Sequence, residues 1–278
     1  MSIINHRLDE AVPALHYLEY SSKAGKTPAM SLIFLHGVTS HAHYWDWLVT
    51  NFNFNQDYAV YALDWRGHGD SGQVDSYTQI EDYVSDLQRL LAKLNPPQFV
   101  LVGHSLGSYA ALVYANSGDP RLRKMVVCDV STGLTPQERE SFQRAAARPQ
   151  PRFASLEELA ARFIAVLPDS TADPVRLAEI ARLGARQNED GTFSFKYDRR
   201  TLNMPPPDPI RYAPGVKVPA LVINGELSQL VSGAEMARLA AALPRGRHLE
   251  ISGAGHHVFL DRPDAFAQAV REFLQEGN

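Results

Sequence analysis

Ser105 stands in Gly103-His104-Ser105-Leu106-Gly107, a G-x-S-x-G unit. Four apolar or β-branched residues, Phe99 to Val102, precede it, and Ala110, Ala111 and Leu112 open an apolar helical run after it. A strand that becomes a helix within so few residues holds the central residue in a strained conformation and projects its side chain from the end of the sheet. The flanking glycines let strand and helix approach closely. The helix also aims its unpaired N–H groups and positive dipole end at that side chain. Such a place suits a nucleophile that must carry a developing negative charge, and Ser105 is the candidate.

Serine is a poor nucleophile at neutral pH and needs a base that titrates near the working pH, usually histidine. Ten histidines are present, so position decides. His256 follows the last strand in the Gly-rich loop Ser252-Gly253-Ala254-Gly255-His256-His257 and is the candidate base. Its neighbour His257 reads as a pocket-wall or surface residue. His36 and His104 read as packing residues of their turns, and His41 and His43 lie where they could touch substrate. The base in turn needs a carboxylate to fix its tautomer, and two stand at strand ends, Asp129 and Glu226. Donors for an oxyanion are expected from the backbone N–H of Leu106 and from the loop after Leu35, at Gly37-Val38, through the Val38 amide. No Cys/His or His/carboxylate set shows ligand spacing, so no metal and no other cofactor is expected.

These residues are held by strands that alternate with helices. Residues Ile3–Leu8 and Ala14–Tyr20 read as two strands, followed by a loop over Ser21–Ala29. Leu32–Leu35, Ala59–Leu63, Phe99–Val102, Met125–Cys128, Ala220–Ile223 and His248–Ile251 read as six more, mostly buried. Ile80, Tyr83, Val84, Leu87, Leu90, Leu91 and Leu94 recur at helical spacing, and Asn95-Pro96-Pro97 stops that helix. The alternation implies right-handed crossovers and a mainly parallel sheet covered on both faces, with ligand sites at the carboxyl ends of its strands. His36, Asp64, Ser105 and Asp129 all fall there. From about Ser131 to Arg211 the rhythm breaks, and helices over Pro136–Ala147, Leu156–Leu167 and Pro174–Gln187 are expected instead. That segment is too long for a plain connection and reads as a helical insert over the strand ends.

The chain has 278 residues and a formal net charge of −4, which gives no electrostatic case for nucleic acid or an anionic membrane. Cys128 is its one cysteine, so no intrachain disulfide forms and nothing points to secretion. No basic-then-apolar leader stands at Met1–His6 and no run spans a bilayer, so a cytoplasmic protein acting on a small molecule is expected.

Taken together these residues resemble the α/β-hydrolase family over nearly the whole chain. The resemblance rests on His36-Gly37, on Asp64-x-Arg66-Gly67-x-Gly69-x-Ser71, on the Ser105 unit, on the helical insert and on Gly255-His256. It implies an eight-stranded, mostly parallel sheet with helices on both faces. The core would comprise residues 1–130 and 212–278, with a helical cap at 131–211 between the sixth and seventh strands. It also implies a Ser-His-acid triad. The commonest family pattern after the penultimate strand is Gly-x-x-Asp, whereas this chain has Gly225-Glu226-Leu227-Ser228. Members lacking that Asp often carry the acid one strand earlier, which favours Asp129 over Glu226. Gly225-Glu226-x-Ser228-x-Leu230-Val231-Ser232 resembles the branch that contains the amide-cleaving (E)-2-(acetamidomethylene)succinate hydrolase, whose two substrate carboxylates would call for arginines such as Arg144, Arg148 or Arg162. Ester or amide hydrolysis is the first expectation. Carbon–carbon bond hydrolysis or cofactor-free oxygenation with the same triad is the alternative, and a non-catalytic ligand receptor the second alternative. Epoxide and haloalkane hydrolases of this fold normally place Asp at the elbow, so Ser105 argues against both.

Overall fold

A computed structural model describes residues 2–21 and 28–276. The loop expected over Ser21–Ala29 therefore lies mostly outside the described residues. Ten strands are formed among those described: β1 (Ile3–Leu8), β2 (Leu15–Tyr20), β3 (Ser31–Leu35), β4 (Ala59–Asp64), β5 (Phe99–His104), β6 (Leu122–Cys128), β7 (Ala185–Gln187), β8 (Phe193–Phe195), β9 (Ala220–Gly225) and β10 (Gly246–Ile251). Eight of them make one sheet in the order β1-β2-β4-β3-β5-β6-β9-β10. β1 and β2 run antiparallel to their neighbours, and every pairing from β4 to β10 is parallel. This is the α/β-hydrolase fold with its mostly parallel eight-stranded sheet.

The central strands are buried on both faces, which is why their sequences are unbroken apolar runs rather than alternations. The pleat sends alternate residues to two cores. Leu32, Phe34, Val100, Val102, Val126 and Cys128 enter one. Ile33, Leu35, Leu101, Met125, Val127 and Val222 enter the other. Helix Ile80–Leu94 packs on the second through Ile80, Tyr83, Leu87, Leu90 and Leu91. It ends at Asn95, whose N–H still donates to the Leu91 carbonyl (2.9 Å) and whose left-handed conformation (φ 41°) turns the chain out of the helix. Helix Leu106–Ala115 is buried nearly all round, so its sequence carries no polar face.

The segment from Ser131 to Arg211 holds helices Pro136–Ala146, Leu156–Ala165 and Pro174–Leu183. All three helices end earlier than the sequence expectation, the third for a clear physical reason. The third helix does not reach Gln187: it stops at Gly184, and Ala185–Gln187 pairs antiparallel with Phe193–Phe195 as a small hairpin. This segment is thus not wholly helical. Such short strands, lacking a buried apolar run, give almost no periodic signal. Phe153, Leu159, Phe163, Leu177, Ile180 and Phe195 pack into the first core, whereas no residue of helix Pro136–Ala146 is buried. That helix depends on its ends, with Pro136 in the first turn and a reciprocal Thr135–Glu138 capping box.

Candidate active site

Ser105 takes φ 50° and ψ −118°, between the end of β5 and the first turn of helix Leu106–Ala115. Such a conformation costs about 1–3 kcal/mol for a residue with a side chain, and persists only where the surroundings over-determine it. Here the Ser105 N–H donates to the Cys128 carbonyl (2.9 Å), and the Ser105 carbonyl accepts from Tyr109 N–H (3.1 Å). The two glycines of the unit are steric necessities. A Cβ on Gly103 would stand 2.6 Å from the Ser108 backbone, and one on Gly107 would stand 2.2 Å from the Leu35 carbonyl oxygen.

Asp129 follows β6 in a left-handed conformation as well (φ 46°) and is fully buried. Its Oδ1 accepts from His256 Nδ1 (2.6 Å) and from the Ser228 hydroxyl (2.8 Å), and its Oδ2 accepts from Gly225 N–H (3.0 Å). Because Nδ1 donates, the neutral His256 ring carries its lone pair on Nε2. Ser105 and His256 line the same cavity, and no hydrogen bond joins Ser105 Oγ to the ring here. Serine–histidine bonds are commonly long in unliganded sites and tighten around substrate.

Glu226 does different work. Its Oε2 accepts from the Ser252 hydroxyl (2.6 Å) and Gly253 N–H (2.9 Å), and these bonds hold its carboxyl below the usual range. It braces the loop that carries His256 and makes no bond to the imidazole. Other anchors hold the same loop: Gly255 N–H donates to Asp261 (2.7 Å) and His256 N–H to Asp169 (3.1 Å). The His256 carbonyl accepts from His104 Nε2 (3.1 Å).

The amides of Val38 and Leu106 find no acceptor among the described residues; Leu106 is the first residue of its helix, where an N–H has no intrahelical partner. The Val38 turn is fixed by Thr39 (φ 63°), whose N–H donates to His68 Nε2 (3.1 Å). His36 sits beneath it, donating from Nδ1 to the Gly37 carbonyl (2.7 Å) and accepting from Trp65 N–H (3.1 Å). Asp64 is the hub of the neighbouring turn. It accepts from Ala42 N–H (2.6 Å), Asp70 N–H (3.0 Å) and His16 Nδ1 (2.6 Å), and the His16 bond and its charge hold the carboxyl low against the opposing cost of burial. His16, Asp64 and Asp70 are also the one cluster of possible metal ligands among the described residues, and within it His16 Nδ1 and Asp64 Oδ2 are bonded to each other.

The cavity above Ser105 has a volume of about 550 Å³. Its floor includes Val38, His41, Tyr44, His256 and His257, and its roof comes from the 131–211 segment, through Leu134, Phe142, Phe163, Phe195 and Met204 among others. His41 and His257 both line it, whereas His43 is tied to Asp46 (2.8 Å). Burial presses His41 down to about 3, and His104 and His257 well below the ordinary imidazole value; proximity to His256 adds to the last two. These three rings are therefore neutral around the site. Arg144, Arg148 and Arg162 are exposed and do not line the cavity, and Arg144 pairs with Glu140.

Two participants were not assigned a role from sequence. Ser228, noted only as a departure from Gly-x-x-Asp, spends its hydroxyl on Asp129. Asp169, in a stretch without periodic signal, supports the backbone of His256 and of Gln229.

The sequence pattern of the "Alpha/beta hydrolase family" matches residues 32–269. Among curated proteins the chain is 25% identical over 256 residues to the 2-(acetamidomethylene)succinate hydrolase of Mesorhizobium japonicum, covering 90% of this chain and 89% of that protein. It is 26% identical over 268 residues to the sn-1-specific diacylglycerol lipase ABHD11 of Mus musculus, covering 92% and 85%. Among solved structures, that of E-2-(acetamidomethylene)succinate hydrolase superposes with a TM-score of 0.84 at 23% identity, over 98% of this chain and 99% of the other. The enol-lactonase of Burkholderia xenovorans LB400 superposes with a TM-score of 0.79 at 25% identity, over 98% and 100%. By the family pattern and by the fold, the chain belongs to the α/β-hydrolase family and resembles the branch that contains 2-(acetamidomethylene)succinate hydrolase.

Proposed function

We propose that the chain is a serine hydrolase cleaving an ester or amide bond of a small molecule, with Ser105 as nucleophile, His256 as base and Asp129 as the acid. The observation that carries this reading is the 2.6 Å bond from His256 Nδ1 to buried Asp129, which fixes the tautomer that leaves Nε2 able to take a proton beside Ser105. Nε2 removes the Oγ proton as Oγ bonds to the substrate carbonyl carbon. The oxygen of the tetrahedral intermediate becomes anionic and is held by the free amides of Val38 and Leu106, with the helix dipole behind Leu106. Collapse breaks the bond to the leaving group, which takes the proton from His256. A water, deprotonated by the same ring, then releases the acid and restores Ser105.

Neutral His41, His104 and His257 favour this assignment, because none competes as a cation beside the base. The buried nucleophile turn and the roofed cavity limit solvent at the acyl-enzyme. The test is a screen of 4-nitrophenyl esters, lactones and N-acyl compounds, with a stopped-flow search for a burst of the first product. A burst that disappears in Ser105→Ala supports the acyl-enzyme. Turnover that survives Ser105→Ala, with oxygen uptake, would move the assignment to the histidine-based oxygenase alternative.

A further inference from the structure

We propose that the cavity accepts an uncharged substrate with an extended apolar acyl chain and turns away carboxylate-bearing ones, so that specificity departs from that of a dicarboxylate hydrolase. The inference deepens the serine-hydrolase reading and rests on it. Three charged side chains line the cavity, and each is engaged by the protein. Glu138 closes the capping box with Thr135, its Oε2 accepting from Thr135 N–H and hydroxyl (both 2.8 Å). Asp169 accepts from His256 N–H (3.1 Å) and Gln229 N–H (3.3 Å). Lys196, the one cation among the lining residues, is paired with Asp70 (2.8 Å).

Two carboxylates against one ammonium leave the wall with a net charge of −1. The arginines that a dicarboxylate would need are exposed and outside the lining. An anionic substrate entering here loses its hydration and meets no free cation, which is a heavily penalised form of burial. Leu134, Phe142, Phe163, Val166, Phe195 and Met204 instead give the cavity above Ser105 a predominantly apolar roof. Each methylene laid on such a surface is expected to raise kcat/KM by about fourfold until the cavity is filled.

The experiment compares kcat/KM for 4-nitrophenyl acetate, butyrate and hexanoate, and for 4-nitrophenyl hydrogen adipate, in which a carboxylate replaces the terminal methyl of the hexanoate. The expected result is a rise along the neutral series and an adipate value at least about tenfold below the hexanoate. A flat series, or an adipate value closer than that, overturns the proposal. Asp70→Asn releases Lys196 into the cavity and should narrow the hexanoate-to-adipate ratio by about threefold or more; an unchanged ratio would refute the assigned neutralisation of Lys196. The same two esters are titrated calorimetrically into Ser105→Ala. There, tighter binding of the hexanoate supports the cavity assignment even if Ser105 proves not to be the nucleophile, and equal or reversed binding overturns it. Loss or retention of turnover in that variant reports on the serine mechanism alone.

Discussion

The floor and the roof of the cavity are built on different physical terms. At and beneath the floor, Ser105, Thr39 and Asp129 all adopt positive φ, and each is pinned by hydrogen bonds to neighbouring strands or turns. The roof helix Pro136–Ala146 has no buried residue and holds itself by its own caps, with Arg199 Nε donating to the Ala145 carbonyl from the segment behind it. The floor therefore stores strain that its packing supports, and this roof helix, unlike the roof residues Phe163 and Phe195, has little packing to lose. Chemistry that needs sub-ångström placement belongs on the first, and substrate selection, which tolerates movement, belongs on the second.

This contrast can be broken in a ranked series. Ser105→Ala should lower kcat/KM by about 10⁴-fold or more while leaving thermal unfolding within a few degrees of the parent. A comparable loss of stability would mean that Ser105 is a structural residue. Gly107→Val drives a side chain into the Leu35 carbonyl and should destabilise the fold by more than about 3 kcal/mol, read by urea denaturation. A near-neutral result would show that strand and helix are not in tight contact.

Acidification gives a smaller, graded effect. His41, His104 and His257 have folded-state values below the unfolded one, so the unfolded chain binds protons first as pH falls. The stability they contribute is complete above about pH 6.5 and is lost progressively below it, by up to about 2 kcal/mol per ring at pH 5. Unfolding measured from pH 7.5 to 5 should show this slope, and His41→Gln should reduce it. At the small end, Phe142→Ala in the roof should raise KM for a hexanoate ester severalfold, with unfolding free energy changed by less than about 0.5 kcal/mol. A large stability loss there would place the roof helix in the core after all.

What could be read from the sequence follows the same division. Strands buried on both faces announce themselves as apolar runs, and the Ser105 unit announces itself through two glycines that admit no Cβ. Hence the sheet, its ends and the candidate nucleophile were legible. The hairpin Ala185–Gln187 with Phe193–Phe195 was not, because strands of three residues have no period to detect. The choice between Asp129 and Glu226 was open from spacing alone, since both end strands. It is the direction of each side chain that separates them: Asp129 bonds to the imidazole, and Glu226 to the turn at Ser252-Gly253. Arg144, Arg148 and Arg162 were available as cations by their place in the insert, and all three prove to be exposed to solvent. No helix among the described residues is long and apolar enough to cross a membrane.

The account stands or falls on Asp129 acting through His256. The most direct measurement is kcat/KM of Asp129→Asn beside Glu226→Gln on one ester, with folding verified by circular dichroism. The proposed triad predicts a loss of about 10³- to 10⁴-fold for Asp129→Asn and less than about threefold for Glu226→Gln. A folded Asp129→Asn enzyme with near-parental activity, or a loss falling on Glu226→Gln instead, would contradict it.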